Sequence, residues 1–177
     1  YPANLANVLI EDTPASTDPQ GLVSWTAPAK PNVVAMADGA QVGVSNMAGA
    51  NASMGFQLND GQTAIWNGSA DAVVDAQITT YVHTGKVLDY VAAIDPALSL
   101  VNAKMQANVN IADECNAYFD PQQNSINFFL ASPSCGNTGR LADVVYHEVG
   151  HAVHRAAIIP GAGSVDGSLG EGVADYL

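Results

Sequence analysis

Positive charge is scarce in this chain: five Lys and Arg stand against 17 Asp and Glu, a formal net of −12. A surface of that sign repels nucleic-acid phosphates and anionic lipid, which argues against both as partners. Cysteine is scarce as well, with Cys115 and Cys135 the two copies. Neither has a second Cys or His at finger-like spacing, so a finger-type zinc site is excluded. One disulfide in an exported, extracytoplasmic protein accounts for the pair; two buried free thiols are the alternative reading. Long apolar runs are missing too, since nothing approaches the roughly 20 residues of a membrane-spanning helix. What the chain does have is a 48% apolar share rich in Ala over 177 residues, enough for one domain with a sizeable core across residues 1–177. It opens on Tyr1 and not Met, which reads as a removed leader or an excerpt of a longer chain. Of the acids, 13 are Asp. With Asn and Gly this suits loops, including calcium-binding ones, but no clustered ligand pattern supports calcium and solubility accounts for the excess.

Residues 1–66 are Pro- and Gly-rich, with five of nine prolines before position 35. Apolar patches such as Val8-Leu9-Ile10 and Leu22-Val23-Ser24-Trp25 predict extended chain with edge strands. Short strands broken by glycine follow from Val33 to Trp66, with a turn at Asn59-Asp60-Gly61. From Ser69 to Ile94 the period becomes helical: Val74, Ile78, Tyr81, Leu88 and Val91 recur, Asp71 and Asp75 fall in the first turns, Gly85 weakens the middle and Asp95-Pro96 ends it. His83 on this helix reads as a partly exposed structural histidine. Val101, Ala103, Met105, Ala107, Val109 and Ile111 then alternate with polar residues, predicting a half-buried strand. A hairpin follows, Ala117 to Phe119 and Ser125 to Leu130, joined by Asp120 to Asn124. A Cys115–Cys135 bond would clamp its base.

The chemistry concentrates in Val144-Val145-Tyr146-His147-Glu148-Val149-Gly150-His151-Ala152-Val153, on a helix expected from Leu141 to about Ala157 and stopped before Pro160-Gly161. Residues four apart stack on one face of a helix, so His147 and His151 can grip one cation from the same side. Glu148 points a little further round, able to reach a water on that cation without ligating it. A catalytic zinc takes three protein ligands and keeps one position open. The three-histidine solution needs Gly at position 154 and His at 157, where this chain has His154 and Ala157. His154 is better read as a neighbour or substrate contact. The other solution is a carboxylate on a second helix, and Glu171, 24 positions after His147, fits. Asp175, one turn on, would accept the free ring N–H of a ligating histidine. Asp166 is the competing third ligand, without such a partner.

His147-Glu148-Val149-Gly150-His151 with Glu171-Gly172-Val173-Ala174-Asp175 resembles the gluzincin metallopeptidases, the thermolysin and fungalysin group. More weakly, Asn116-Ala117-Tyr118-Phe119 is similar to the edge strand with which those enzymes pair a substrate backbone. The likeness covers roughly residues 70–177. It implies an α+β, zincin-like N-terminal lobe, a twisted mixed β-sheet packed on the active-site helix and a second long helix. It implies one zinc ion held by His147, His151 and Glu171, Asp175 behind a ligand, and Asn116 and Ala117 as substrate-binding residues. The reaction implied is metal-assisted hydrolysis of a peptide or protein substrate, with Glu148 as general base. In the family a further, mostly helical lobe closes the cleft and supplies a His and a Tyr to the oxyanion. No residue here matches them: His83 lies upstream, the Tyr position falls near Pro160-Gly161-Ala162, and Tyr146 and Tyr176 are misplaced. The chain is therefore expected to be one lobe of a longer or cut enzyme, with the C-terminal lobe or a partner chain elsewhere. Other readings are a non-catalytic surface or assembly module that keeps the lobe, and a hydrolase of non-peptide substrates.

Overall fold

The computed structural model describes residues 1–26, 28–159 and 167–176. Among these are strands β1 (Ala6–Ile10), β2 (Thr13–Ser16), β3 (Asn32–Gly39), β4 (Val42–Asn46) and β5 (Ser53–Gln57), helix α1 (Ala72–Ile94), strands β6 (Met105–Ile111), β7 (Ala117–Asp120) and β8 (Ser125–Phe129), and helices α2 (Ala142–Ala157) and α3 (Gly167–Tyr176). The eight strands form one mixed sheet in the order β2-β1-β3-β4-β6-β8-β7, with β5 also paired to β3. β4, β6 and β8 run parallel to one another; the other pairings are antiparallel. Parallel neighbours need a long crossover, and α1 supplies the one between β4 and β6. No helix among the described residues is long and apolar enough to cross a membrane.

Capping starts α1, which begins at Ala72 and not at Ser69. Asp71 precedes its first turn as the N-cap, its carboxylate accepting from the N–H groups of Val73 and Val74. The helix then runs 23 residues straight through Gly85. Its buried face carries Gln77, Thr80 and Thr84 beside Tyr81, Leu88 and Val91, so apolar spacing alone describes only part of it. Gln77 is satisfied by accepting from the Ala52 N–H and donating to the Val73 carbonyl.

The long alternation divides in two. Met105, Ala107 and Val109 are fully buried on β6, the spine of the sheet. Val101 and Asn102 lie instead in a 3-10 turn, Ser99–Asn102, and Ala103 ends it, so the strand starts four residues later than the pattern predicts. The period also fails at the far end, where Asn110 is buried and Ile111 is not. Asn110 adopts a left-handed φ of 60° at a shift in register against β8. Its amide donates to Asn46 Oδ1 and the Val73 carbonyl, and its oxygen accepts from Asn137 Nδ2 at 2.6 Å. These bonds tie β4, the start of α1 and the loop before α2 to the central strand. They offset the desolvation of the amide.

Leu22 to Trp25 forms no strand. Asp18 takes up the local hydrogen bonds instead: its carboxylate accepts from the Gln20 and Leu22 N–H groups, and its own N–H donates to the Leu22 carbonyl. The hairpin forms as β7 and β8, in register from Ala117↔Phe128 to Asp120↔Ser125. The Cys115–Cys135 disulfide joins the segments flanking it, with Cα atoms 5.5 Å apart. β7 is the outer strand at this end of the sheet. One core unites the layers: Leu88 and Val91 of α1, Ile126 and Phe128 of β8, and Val145, Val149 and Ala152 of α2.

Candidate metal centre

Val145, Val149 and Ala152 recur at helical spacing and bury one face of α2 in that core. Valine is a modest helix former, so this burial is what holds the helix in place. Its start is fixed sideways to α1. Arg140 Nε donates to Asp75 at 2.7 Å, and Thr80 Oγ1 donates to the Gly139 carbonyl. With the apolar face committed to the sheet, His147 and His151 are left half-buried on the side where α3 crosses.

Gly150 decides how near α3 comes. A Cβ there would sit 2.6 Å from Ala174 Cα and 2.9 Å from the Ala174 carbonyl oxygen. The two helices therefore touch backbone to backbone, with Gly150 and Ala174 both buried. Glu171 and Asp175 lie three residues before and one after Ala174, and both overhang the histidines. Three donor atoms converge. His147 Nε2 and His151 Nε2 are 3.0 Å apart, and Glu171 Oε2 lies 3.2 Å from the first and 3.6 Å from the second. One ligand atom from each lies within 4.8 Å of the others, a group able to hold a metal ion. Tetrahedral zinc with bonds of about 2.05 Å sets its ligand atoms about 3.3 Å apart, so the triangle matches one face of that figure.

Protonation suits the same role. His147 Nδ1 is 2.7 Å from Asp175 Oδ1. An N–H donated there leaves Nε2 bare and facing the triangle, the tautomer a metal needs. Burial pushes the pKa of His151 down, with Glu171 opposing, so its imidazole favours the neutral form. Replacing Asp175 with Asn should weaken binding of a metal ion at this group, with zinc as the probe, about 10- to 100-fold. Competition with a chromophoric chelator measures this, and an unchanged affinity would show that Asp175 does not hold the ring.

Glu148 is 5% exposed and is not among the converging donors. Burial is the largest influence on its carboxyl and pushes it up to about 7; His147 pulls down, Glu171 pushes up, and a backbone hydrogen bond from Phe119 of β7 pulls down. A carboxyl poised there exchanges protons readily at neutral pH, and a bound dication would draw it lower. The Phe119 contact also sets this carboxylate against the outer strand of the sheet.

A scan against protein-family models and a search of curated proteins both return no match. The remaining expected residues distribute as follows. Asn116 is exposed and immediately precedes β7, its carbonyl accepting from Thr138 Oγ1 at 2.9 Å; Ala117 is the first residue of that strand and half-buried. His154 lies beside Gly170 of α3 and outside the triangle. His83 sits away from it, its Nδ1 2.5 Å from the Tyr146 hydroxyl. Asp166, the competing ligand, and Pro160-Gly161-Ala162 lie outside the described residues. Sequence reasoning gave no role to Gly150. The available signal was an isolated glycine inside a helical pattern, which costs about 1 kcal/mol against Ala and so calls for a packing reason.

Proposed function

We propose that this chain is the zincin-like lobe of a secreted, gluzincin-type zinc metallopeptidase. The observation that carries the reading is the triangle of two imidazole nitrogens and one carboxylate oxygen, with a buried carboxyl beside it. A His2Glu donor set is one of those used by catalytic zinc, and it leaves a fourth position open. When bound there, zinc supplies Lewis-acid activation of a water and polarisation of the scissile carbonyl. His147, His151 and Glu171 would hold the ion, and Asp175 would keep His147 in the ligating tautomer. Glu148 accepts the proton of the attacking water and delivers it to the leaving amine. Ala117 to Phe119, on the outer strand next to Glu148, orient an extended peptide by strand addition, with Asn116 at the entry. The disulfide accords with an extracytoplasmic location.

Metal removal tests this without relying on turnover alone. Three glycines in the ten residues of α3 leave that helix weak by itself, so a shared ion should support it. Stripping the protein with a chelator should abolish cleavage of an unfolded protein substrate and speed amide exchange in 167–176; one equivalent of zinc should restore both. Cleavage that persists after verified metal loss would overturn the proposal.

A further inference from the structure

Glu148, Ala152 and Arg155 follow one another at intervals of four and three, which sets them on one stripe of α2. Glu148 meets β7 at Phe119. Further along the stripe a cavity of about 300 Å³ opens between α2, the hairpin and the 3-10 turn. Phe119, Pro121 and Asn124 line one side, Leu100 another, and Ala152 and Arg155 the helix side. Phe119 thus borders both the buried carboxyl and this cavity.

Of the five cations of this acidic chain, Arg155 is the one that lines this cavity; Lys30, exposed near the N-terminus, likewise has no ion-pair partner among the described residues. Lys104 is held by Asp38, Arg140 by Asp75, and Lys86 lies over the Tyr1 ring. Arg155 has no carboxylate partner among the described residues. The neighbouring Asp120 is turned to its own loop, where its Oδ1 accepts from the N–H groups of Gln122 and Gln123. The walls are part apolar (Leu100, Phe119, Pro121, Ala152) and part polar (Ser99, Asn124), and beside the exposed guanidinium of Arg155 they suit a short aliphatic side chain ending in a carboxylate, which Arg can take in a bidentate grip. A lysine or arginine there meets like charge instead.

We propose that this cavity is a specificity subsite for a carboxylate-bearing residue of the substrate. Seven residues of helix separate Glu148 from Arg155, about 10 Å, and an extended peptide advances about 3.3 Å per residue. The carboxylate therefore belongs about three residues from the scissile bond. The inference rests on the peptidase reading for its register. A surface of net charge −12 works against acidic peptides at long range, so the preference is local, made by Arg155, and it weakens as salt rises.

Peptide binding to zinc-loaded E148Q protein tests it. A ten-residue peptide, acetylated and amidated, is scanned with Glu, Gln or Lys at each position, and Kd is measured by fluorescence anisotropy. At one position Glu should bind roughly fivefold tighter than Gln, and Lys weaker than both. Adding Arg155→Gln should erase the difference, and Arg155→Glu should invert it in favour of Lys. A second series, ending in a free carboxylate at that position, distinguishes a terminal carboxylate from a Glu side chain. Absence of measurable binding, or a Glu preference that survives Arg155→Gln, overturns the subsite. Wild-type protein on the same peptides separates the two readings. A charge preference in binding without any cleavage keeps the subsite and sinks peptidase activity for this chain by itself, whereas cleavage indifferent to Glu at every position does the reverse.

Discussion

On the proposed peptidase reading, Glu148→Gln is expected to lower kcat for peptide cleavage by about a thousandfold, with metal content and folding retained. The substitution keeps the volume of the side chain and removes only its capacity to take a proton. Two features of the site keep this change from disturbing the fold. Burial already makes the charged form of Glu148 costly, holding its pKa at about 7, so a neutral isostere loses little in that environment. The Phe119 backbone N–H can still donate, to the amide oxygen of Gln. The three converging donors belong to other residues, so metal affinity should hold within a small factor. Turnover on a fluorogenic peptide and metal content of the purified protein are the two measurements. Activity near the wild-type level would remove Glu148 from the mechanism. Loss of activity together with loss of zinc would mean that the substitution had broken the site and not the proton transfer.

The reach of the sequence follows the length scale of each interaction. H-E-x-x-H is readable because helical geometry makes residues four apart neighbours whatever surrounds them, and His147 and His151 do face each other. The hairpin is equally local: Asp120 satisfies the turn between its own strands, and the cysteines flank it in order. Asn110 could not be read in the same way. Its alternating neighbours predict an outward side chain, but partners from β4, α1 and the loop before α2 draw it inward, and those contacts span up to 64 residues. The same holds for Val101 and Ala103, whose alternation continued the strand pattern while a turn took their backbone. Arg155 was one more charge on a helix until the hairpin folded against that face. Local periodicity identifies the elements here, and long-range polar contacts decide where they stop and which way they turn.

Gly150→Ala should lower zinc affinity about 10- to 100-fold even though it touches no ligand. Alanine is the better helix former by about 1 kcal/mol, so α2 alone would gain stability. The added methyl, however, would lie 2.6 Å from Ala174 Cα and 2.9 Å from its carbonyl oxygen. Ordinary contact begins near 3.4 Å, and the obstacle is backbone, so no rotamer change relieves it. α3 has to move outward by about 1 Å, a kind of overpacking that costs about 1–3 kcal/mol. Metal–ligand distances tolerate about 0.2 Å, and Glu171 and Asp175 ride on the displaced helix. Zinc titration should therefore show the loss, while the melting temperature of the metal-free protein shifts only modestly, because the helix gain and the crowding oppose each other. Ala174→Gly should fail to rescue the variant, since the clash is with Cα and the carbonyl and not with the methyl. Undiminished zinc affinity in Gly150→Ala would mean that the Gly150–Ala174 contact does not fix the position of α3, or that Glu171 is not the third ligand.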